Sequence, residues 1–287
     1  MDPAIKKALQ KAGDASILIQ AKRVHGGSIN DSYYIETEKR KYFIKYNKRS
    51  PERFFEMEAK GLEQIRKTDT IKVPDVLSFS DEESNGFLAL EWIDGKKNDG
   101  TEKRLGEQLA AFHSTFGKKH GFEDDTFIGH LPQPNGLYIS WLDYYRDKRL
   151  KAQVKLGIER NHIGGKRKKQ LVKLVENLGN WIPNEVKPSY LHGDLWNGNW
   201  LVGPEGEPYV IDPSFLYGDR QFEIAFTELF GGYSRDFYDA YQASFPLSSD
   251  YGEIKSLYQL YYLLVHLNMF GEAYGPSVDA ILNKYVP

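Results

Sequence analysis

Residues 191–214 read LHGDLWNGNWLVGPEGEPYVIDPS, and three side chains in this stretch, Asp194, Asn199 and Asp212, decide how the chain is to be read. The apolar runs NWLV (199–202) and YVID (209–212) flank GPEGEP, whose glycines and prolines supply a bend. The pattern predicts an antiparallel hairpin, in which the start of the first strand lies beside the end of the second. Asn199 stands at that start and Asp212 at that end, so their oxygens are expected to meet at the hairpin's open end. Asp194 lies in the loop leading in. An amide oxygen beside a carboxylate suits Mg²⁺, a hard cation that keeps waters and binds substrate phosphates. A further carboxylate at the same point can accept a proton from a hydroxyl. The competing reading is a solvated turn in which Asp and Asn serve only backbone geometry.

The spacing D-x-x-x-x-N, followed by an apolar residue and Asp, matches the catalytic and metal loops of protein kinases. That match makes demands on the N-terminal region. SYYIET (32–37) and KYFIKY (41–46) are β-type runs split by the charged turn 38–40, a hairpin signal. Lys45 falls inside the second run, an unfavourable place for a charge without a partner. PERFFEMEAKGLEQIRK (51–67) has helical spacing at Phe55, Ala59, Leu62 and Ile65, with Pro51 near its start. Glu58 shares the face of Phe55, Leu62 and Ile65, and is expected to pair with Lys45, which would hold ATP phosphate. Glu56 is the competing partner. Gly26, Gly27 and Ser28 form a turn whose backbone N–H groups suit phosphate, although no GxGxxG is present. LALEWIDG (88–95) reads as a strand leaving into a hinge, where the backbone at Glu91, Trp92 and Ile93 is placed to meet an adenine.

The bulk composition agrees with a globular enzyme. The 287 residues suffice for one large domain or two lobes, and a formal net charge of −2 gives no bulk attraction for nucleic acid or anionic membrane. The basic run KRKK (166–169) opens a predicted helix and reads as a solvated face. With no cysteine, disulfides, thiolate metal sites and thiol catalysis are excluded. The start, MDPAIKKALQKAG, is charged and helix-like rather than a signal peptide. The longest apolar run, LYQLYYLLVHLNMF (257–270), is too short to span a bilayer and reads as a buried helix. A cytoplasmic protein is expected. After Gly95 the chain reads as helical, apart from the 199–212 hairpin.

HGDLWNGN (192–199), in place of the HRD form of protein kinases, resembles the small-molecule branch of the kinase-like fold, which includes aminoglycoside and choline kinases. FIGHLPQPNGLYISWLDYYRDKRLKAQ (127–153), Trp196, YGDR (217–220) and YQLYYLL (258–264) resemble the fructosamine kinase, or ketosamine-3-kinase, family. The resemblance runs from about Gly26 to the C-terminus. It implies an α+β, protein-kinase-like, two-lobed fold: a nucleotide-binding lobe over 1–93, with an antiparallel sheet and a helix, and a mainly helical lobe over 94–287. It also implies transfer of the ATP γ-phosphoryl to the C3 hydroxyl of a ketosamine, small or protein-linked. That is a deglycation step, because the 3-phosphate is unstable and releases the amine. Asp194 would act on the hydroxyl, Asn199 and Asp212 would hold Mg²⁺, and Lys45 would bind phosphate.

Trp196 offers a flat face to a sugar, with a core tryptophan as the alternative. Gln133, Asn135 and Trp141 are candidates for substrate contact or for structure. His192 is expected to orient the loop. One departure stands out: the family commonly carries an R-E-x-D-like run where this chain has Arg220-Gln221-Phe222-Glu223. Two other readings remain: a kinase of an aminoglycoside or other amino-alcohol, and a non-catalytic nucleotide-binding protein.

Overall fold

In the computed structural model, which describes residues 3–24, 30–82 and 85–287, the N-terminal runs build one antiparallel sheet. Helix α1 (Pro3–Lys11) leads into β1 (Leu18–Val24), β2 (Asp31–Thr37) and β3 (Lys41–Asn47). Helix α2 (Phe54–Arg66) follows, then β4 (Val76–Ser80) and β5 (Gly86–Glu91). The strand order is β1-β2-β3-β5-β4. Alternation along β3 sends Tyr42, Ile44 and Tyr46 to the face covered by Ile5, Ala8 and Leu9 of α1. Lys45 therefore points to the opposite face, where α2 packs through Phe55, Leu62 and Ile65 with Leu88 and Leu90 of β5.

The remaining elements are β6 (His120–Phe122), β7 (Thr126–Ile128), β8 (Leu131–Gln133), β9 (Gly136–Tyr138), β10 (Ser189–Leu191), β11 (Trp200–Val202), β12 (Pro208–Val210) and β13 (Leu216–Gly218), with helices α3 (Thr101–His113), α4 (Trp141–Tyr144), α5 (Lys151–Glu159), α6 (Gly165–Glu176), α7 (Arg220–Leu229), α8 (Arg235–Ser244), α9 (Tyr251–Phe270) and α10 (Gly275–Tyr285). One π-helical stretch, Tyr145–Leu150, joins α4 to α5. Helix α9 is apolar almost all round and is buried accordingly, against Trp141, Tyr145, Phe222 and Phe226 among others. No helix among the described residues is long and apolar enough to cross a membrane.

The 199–212 hairpin forms as β11–β12, with Trp200 opposite Val210. It is not the only β structure after Gly95, however. β10, β13, β6 and β9 form a second sheet in that order, and β7 pairs with β8. These strands have three residues each, too few to display the alternation by which a strand is recognised in sequence.

The N-terminal sheet and the helical part share one apolar cluster. It runs from Phe55 and Leu62 on α2 through Leu109 and Phe112 on α3 to Leu195, Val210 and Phe215 around the hairpin. Gly61 of α2 makes this approach close: a Cβ there would lie 3.0 Å from the ring of Pro213. Gly95, where the chain leaves the sheet, has no room for a side chain, since a Cβ would come within 1.8 Å of the Gly203 carbonyl. In the KRKK run, Lys166, Lys168 and Lys169 are exposed, as expected. Arg167 instead pairs with Glu272 and Asp279, each at 2.7 Å, and ties α6 to α10.

Candidate active site

The hairpin register puts Asn199 and Asp212 together. Ile211 N–H donates to the Asn199 carbonyl at 3.0 Å, one step beyond the Trp200–Val210 pair. Asp212 itself takes a left-handed conformation, φ 59°. Such a backbone costs a non-glycine residue on the order of 1 kcal/mol, and its presence beside a charged cavity marks a position fixed by its surroundings. Asn199 Nδ2 donates to the Asp194 carbonyl at 2.7 Å and to Asp194 Oδ2 at 3.2 Å. These bonds hold the loop and orient the amide, whose Oδ1 accepts no hydrogen bond among the described residues. A hard-oxygen donor pair, Asn199 Oδ1 with the Asp212 carboxylate, therefore fits Mg²⁺.

Lys45 supplies the positive charge. Its Nζ bonds Glu58 at 2.7 Å and also pairs closely with Asp212. Glu56, the competing partner, bonds Arg53 instead. Burial lowers the Lys45 pKa, but the Asp212 and Glu58 carboxylates outweigh it and hold the ammonium protonated well above its ordinary range. Burial, with the Asp212 carboxylate added, pushes Glu58 upward against the pull of Lys45. Two carboxylates thus share one ammonium, leaving an excess of negative charge that a divalent cation would neutralise.

Lys45, Glu58, Asp194, Asn199 and Asp212 line one cavity of about 230 Å³. Burial foremost, then the Asp212 carboxylate, pushes the Asp194 carboxyl well above the usual range. Deprotonated there, it is a stronger base than a solvated aspartate.

The loop carrying Asp194 is braced from beneath. His192 Nε2–H donates to the Ile211 carbonyl at 2.8 Å, and its Nδ1 accepts from Asp194 N–H at 3.3 Å. These partners fix the tautomer and give the ring an orienting place. Gly193 has φ 85°, and a Cβ there would strike the Ser214 carbonyl at 2.1 Å, so only glycine fits. Glu223, fully buried on α7, accepts from His192 N–H at 3.1 Å and Gly193 N–H at 2.5 Å. It also bonds His113 Nε2 at 2.9 Å, and His113 Nδ1 bonds the Tyr241 hydroxyl at 2.8 Å. Burial raises the Glu223 proton affinity, but its hydrogen bonds and His113 win, and its pKa is lowered. Sequence reasoning flagged Glu223 only as a departure in the 220–223 run; its role as the loop's support required the fold. Gln221, the other departure, lies away from the loop and accepts from Ser248 N–H at 2.9 Å.

The other expected positions divide. Trp196 is 44 % exposed and lines the cavity, its ring folded over Gly198, so the core alternative is set aside. Gln133, Asn135 and Trp141 are not at the cavity, which corrects their candidacy for substrate contact. Gln133 bonds Thr126 and the Tyr261 hydroxyl. Asn135 spends its side chain on the Asp124 carbonyl, Thr126, Tyr144 and Arg149. Trp141 stacks on Tyr145 and donates to the Tyr258 hydroxyl at 3.0 Å. All three are buried with their polar atoms satisfied within the fold.

Glu91 N–H is committed to the Asp75 carbonyl at 2.9 Å and has no N–H to offer a nucleotide. Trp92 packs edge-on against Tyr34. Ile93 lines a separate groove with Lys97, Trp200 and Leu201. Gly26, Gly27 and Ser28 lie outside the described residues. Sequence reasoning missed the opposite wall of the main cavity, made by Phe127, Ile128, Phe226, Val265, His266, Met269 and Phe270.

This arrangement, a strand lysine paired to a helix glutamate above an Asp–Asn–Asp loop, is that of a kinase-like phosphotransferase. The fructosamine kinase family model matches residues 1–287. The chain belongs to the fructosamine kinase family. It is 37% identical over 263 residues to a protein of Enterococcus faecium named a probable ketoamine kinase, covering 91% of this chain and 94% of that one. It is 33% identical to the chloroplastic protein-ribulosamine 3-kinase of Arabidopsis thaliana, covering 99% of this chain and 88% of that one. A solved structure from Thermobifida fusca, provisionally assigned as a fructosamine-3-kinase, superposes with a TM-score of 0.89 at 26% identity, over 99% of this chain and 98% of that one. An aminoglycoside phosphotransferase, at 16% identity and a TM-score of 0.64 over the full length of both chains, shares the fold. The fold is thus α+β and protein-kinase-like, as the sequence implied.

Proposed function

We propose that this chain is an ATP-dependent ketosamine 3-kinase, a phosphotransferase that moves the γ-phosphoryl of ATP to the C3 hydroxyl of a sugar-derived ketosamine, small or protein-linked. The observation that carries the reading is the convergence of Lys45, Glu58, Asp194, Asn199 and Asp212 on one cavity in a member of this family. The relatives named ketoamine kinase and ribulosamine 3-kinase supply the substrate class.

In this reading, residues 1–93 bind the nucleotide, and residues 94–287 bring the catalytic loop and the acceptor wall. Lys45, fixed by Glu58, meets the phosphates. Asn199 and Asp212 would hold Mg²⁺, which would supply positive charge against the phosphoryl oxygens. Asp194 accepts the proton of the acceptor hydroxyl and aligns its oxygen. Glu223 and His192 keep the Asp194 loop in place while this happens. Trp196 gives the sugar a flat apolar face.

The test is ADP release with fructose- and ribulose-derived ketosamines, followed by mass spectrometry of the sugar adduct and of the amine freed on warming. Phosphorylation of the adduct, with none of the free amine, is the expected result. Turnover of an aminoglycoside or choline-like alcohol with no turnover of any ketosamine would overturn the substrate class and leave a kinase.

A further inference from the structure

The cavity has a second end that the phosphoryl-transfer chemistry does not use. His266, Met269 and Phe270, from the last turns of α9, line it together with Phe226 of α7. His266 sits amid rings: its centroid is 4.7 Å from Phe230, 5.7 Å from Phe270 and 5.0 Å from Tyr274. Phe230 and Phe270 are large apolar side chains left 43 % and 53 % exposed, both in contact with a histidine that faces the catalytic cavity.

The histidine is also chemically poised. Its Nδ1 lies 2.8 Å from the Tyr262 carbonyl, which only accepts, so Nδ1 carries the proton. Nε2 is then a lone-pair acceptor, and it has no hydrogen-bond partner among the described residues. Burial lowers the His266 pKa, which keeps that lone pair available near neutrality. The carboxylates near these elements are engaged elsewhere: Glu272 and Asp279 with Arg167, and Glu228 with Lys255. Among the α7 and α9 side chains that line the cavity, the hydrogen-bonding group is therefore a neutral acceptor set among ring faces, while the carboxylates of the same cavity are Glu58, Asp194 and Asp212.

Building on the ketosamine reading, we propose that His266 and the rings of Phe230 and Phe270 form the subsite for the nitrogen end of the substrate. Nε2 of His266 accepts a hydrogen bond from the protonated amine. The rings take the substituent that the amine carries, and cation–π attraction adds to the fit. The sugar then spans the cavity from this shelf to Asp194. The subsite makes the enzyme selective for ketosamines with an apolar or aromatic N-substituent.

The test uses fructose-derived ketosamines of methylamine, butylamine and 2-phenylethylamine, with wild type, Phe270→Ala, His266→Ala and His266→Gln. In wild type, kcat/KM is expected to rise about tenfold from the methyl to the phenylethyl compound, from burial of the larger substituent. Phe270→Ala should flatten that rise. His266→Ala should raise the ketosamine KM about tenfold for all three compounds, with the KM for MgATP within about twofold of wild type. His266→Gln, which retains an acceptor oxygen, should recover part of the loss. A preference that survives Phe270→Ala unchanged, or ketosamine KM values unmoved in His266→Ala, overturns the subsite while the kinase reading stands. No turnover of any ketosamine by wild type overturns both. Should His266→Ala fail to fold, the Phe270→Ala series decides alone, since Phe270 is an exposed side chain at the helix end.

Discussion

The two ends of the cavity are built by opposite means. At one end five polar side chains from four separate segments meet: Lys45 of β3, Glu58 of α2, Asp194 and Asn199 of the loop, and Asp212 after β12. Each is held by named bonds, and the loop beneath rests on the buried Glu223. At the other end Phe226, Val265, His266, Met269 and Phe270 come from two helices and are held mainly by packing. The polar end tolerates little change, because each charge depends on its partners and a buried charge left alone is costly. At the aromatic end Phe226 and Val265 belong to the core, but the exposed Phe270 can vary by a whole side chain, because its apolar contact is not directional. Chemistry is thus expected to be sensitive at the first end, and substrate preference adjustable at the second.

The largest effect should come from Asp194→Asn. Losing the base on the acceptor hydroxyl is expected to lower kcat by about 10²–10⁴-fold, with MgATP affinity little changed; steady-state kinetics and nucleotide titration check both. Turnover within about tenfold of wild type would break the assignment. Asp212→Asn should, by contrast, also weaken metal-dependent nucleotide binding.

Glu223→Ala tests the support rather than the chemistry. It strands His113 and frees the His192 and Gly193 N–H groups in a dry interior, and should destabilise the fold by about 3–5 kcal/mol in urea unfolding. An unchanged midpoint would mean that the Asp194 loop stands without α7.

Acid should also weaken the fold. His120 is buried, and burial lowers its pKa to about 4 from an unfolded value near 6.5. The folded state therefore favours the neutral ring, and the contribution is fully present above about pH 6.5. As pH falls from there to about 4 the unfolded chain takes up the proton first, at a cost of up to about 2 kcal/mol. Burial of His192 acts in the same direction. His120→Phe should flatten this part of the stability–pH curve, and a curve identical to wild type would remove His120 as its source.

The smallest effect is expected at Trp196→Ala. Losing one ring face should raise the ketosamine KM by about tenfold or less, leaving the KM for MgATP unchanged. A larger fall in kcat than rise in KM would give Trp196 a part in the chemistry of the polar end rather than in substrate contact.

Much of the polar end was legible in the sequence. Hairpin pairing is local, so the distance between Asn199 and Asp212 follows from the turn between them and the strand period. The Lys45–Glu58 pair was equally readable, because a lysine inside an apolar strand needs a partner and helical spacing leaves one glutamate on the right face. The sequence therefore determined the kinase-like arrangement, the family and the polar residues that converge on the cavity.

Only tertiary structure decided the rest. Gln133, Asn135 and Trp141 stand in family-like segments, yet whether a polar or aromatic side chain faces a ligand or the core depends on what lies across from it. Here Tyr261, Tyr144, Arg149 and Tyr258 lie across from them, more than a hundred residues away for two of the four. Glu223 was visible as a departure, but its bond to the loop carrying Asp194 closes over a separation of 30 residues. The aromatic shelf was hidden inside an apolar run that reads as core. The physical reason is common to all three: local spacing fixes which residues share a strand or a face, while burial and hydrogen-bond satisfaction are set by partners that only the folded chain brings near.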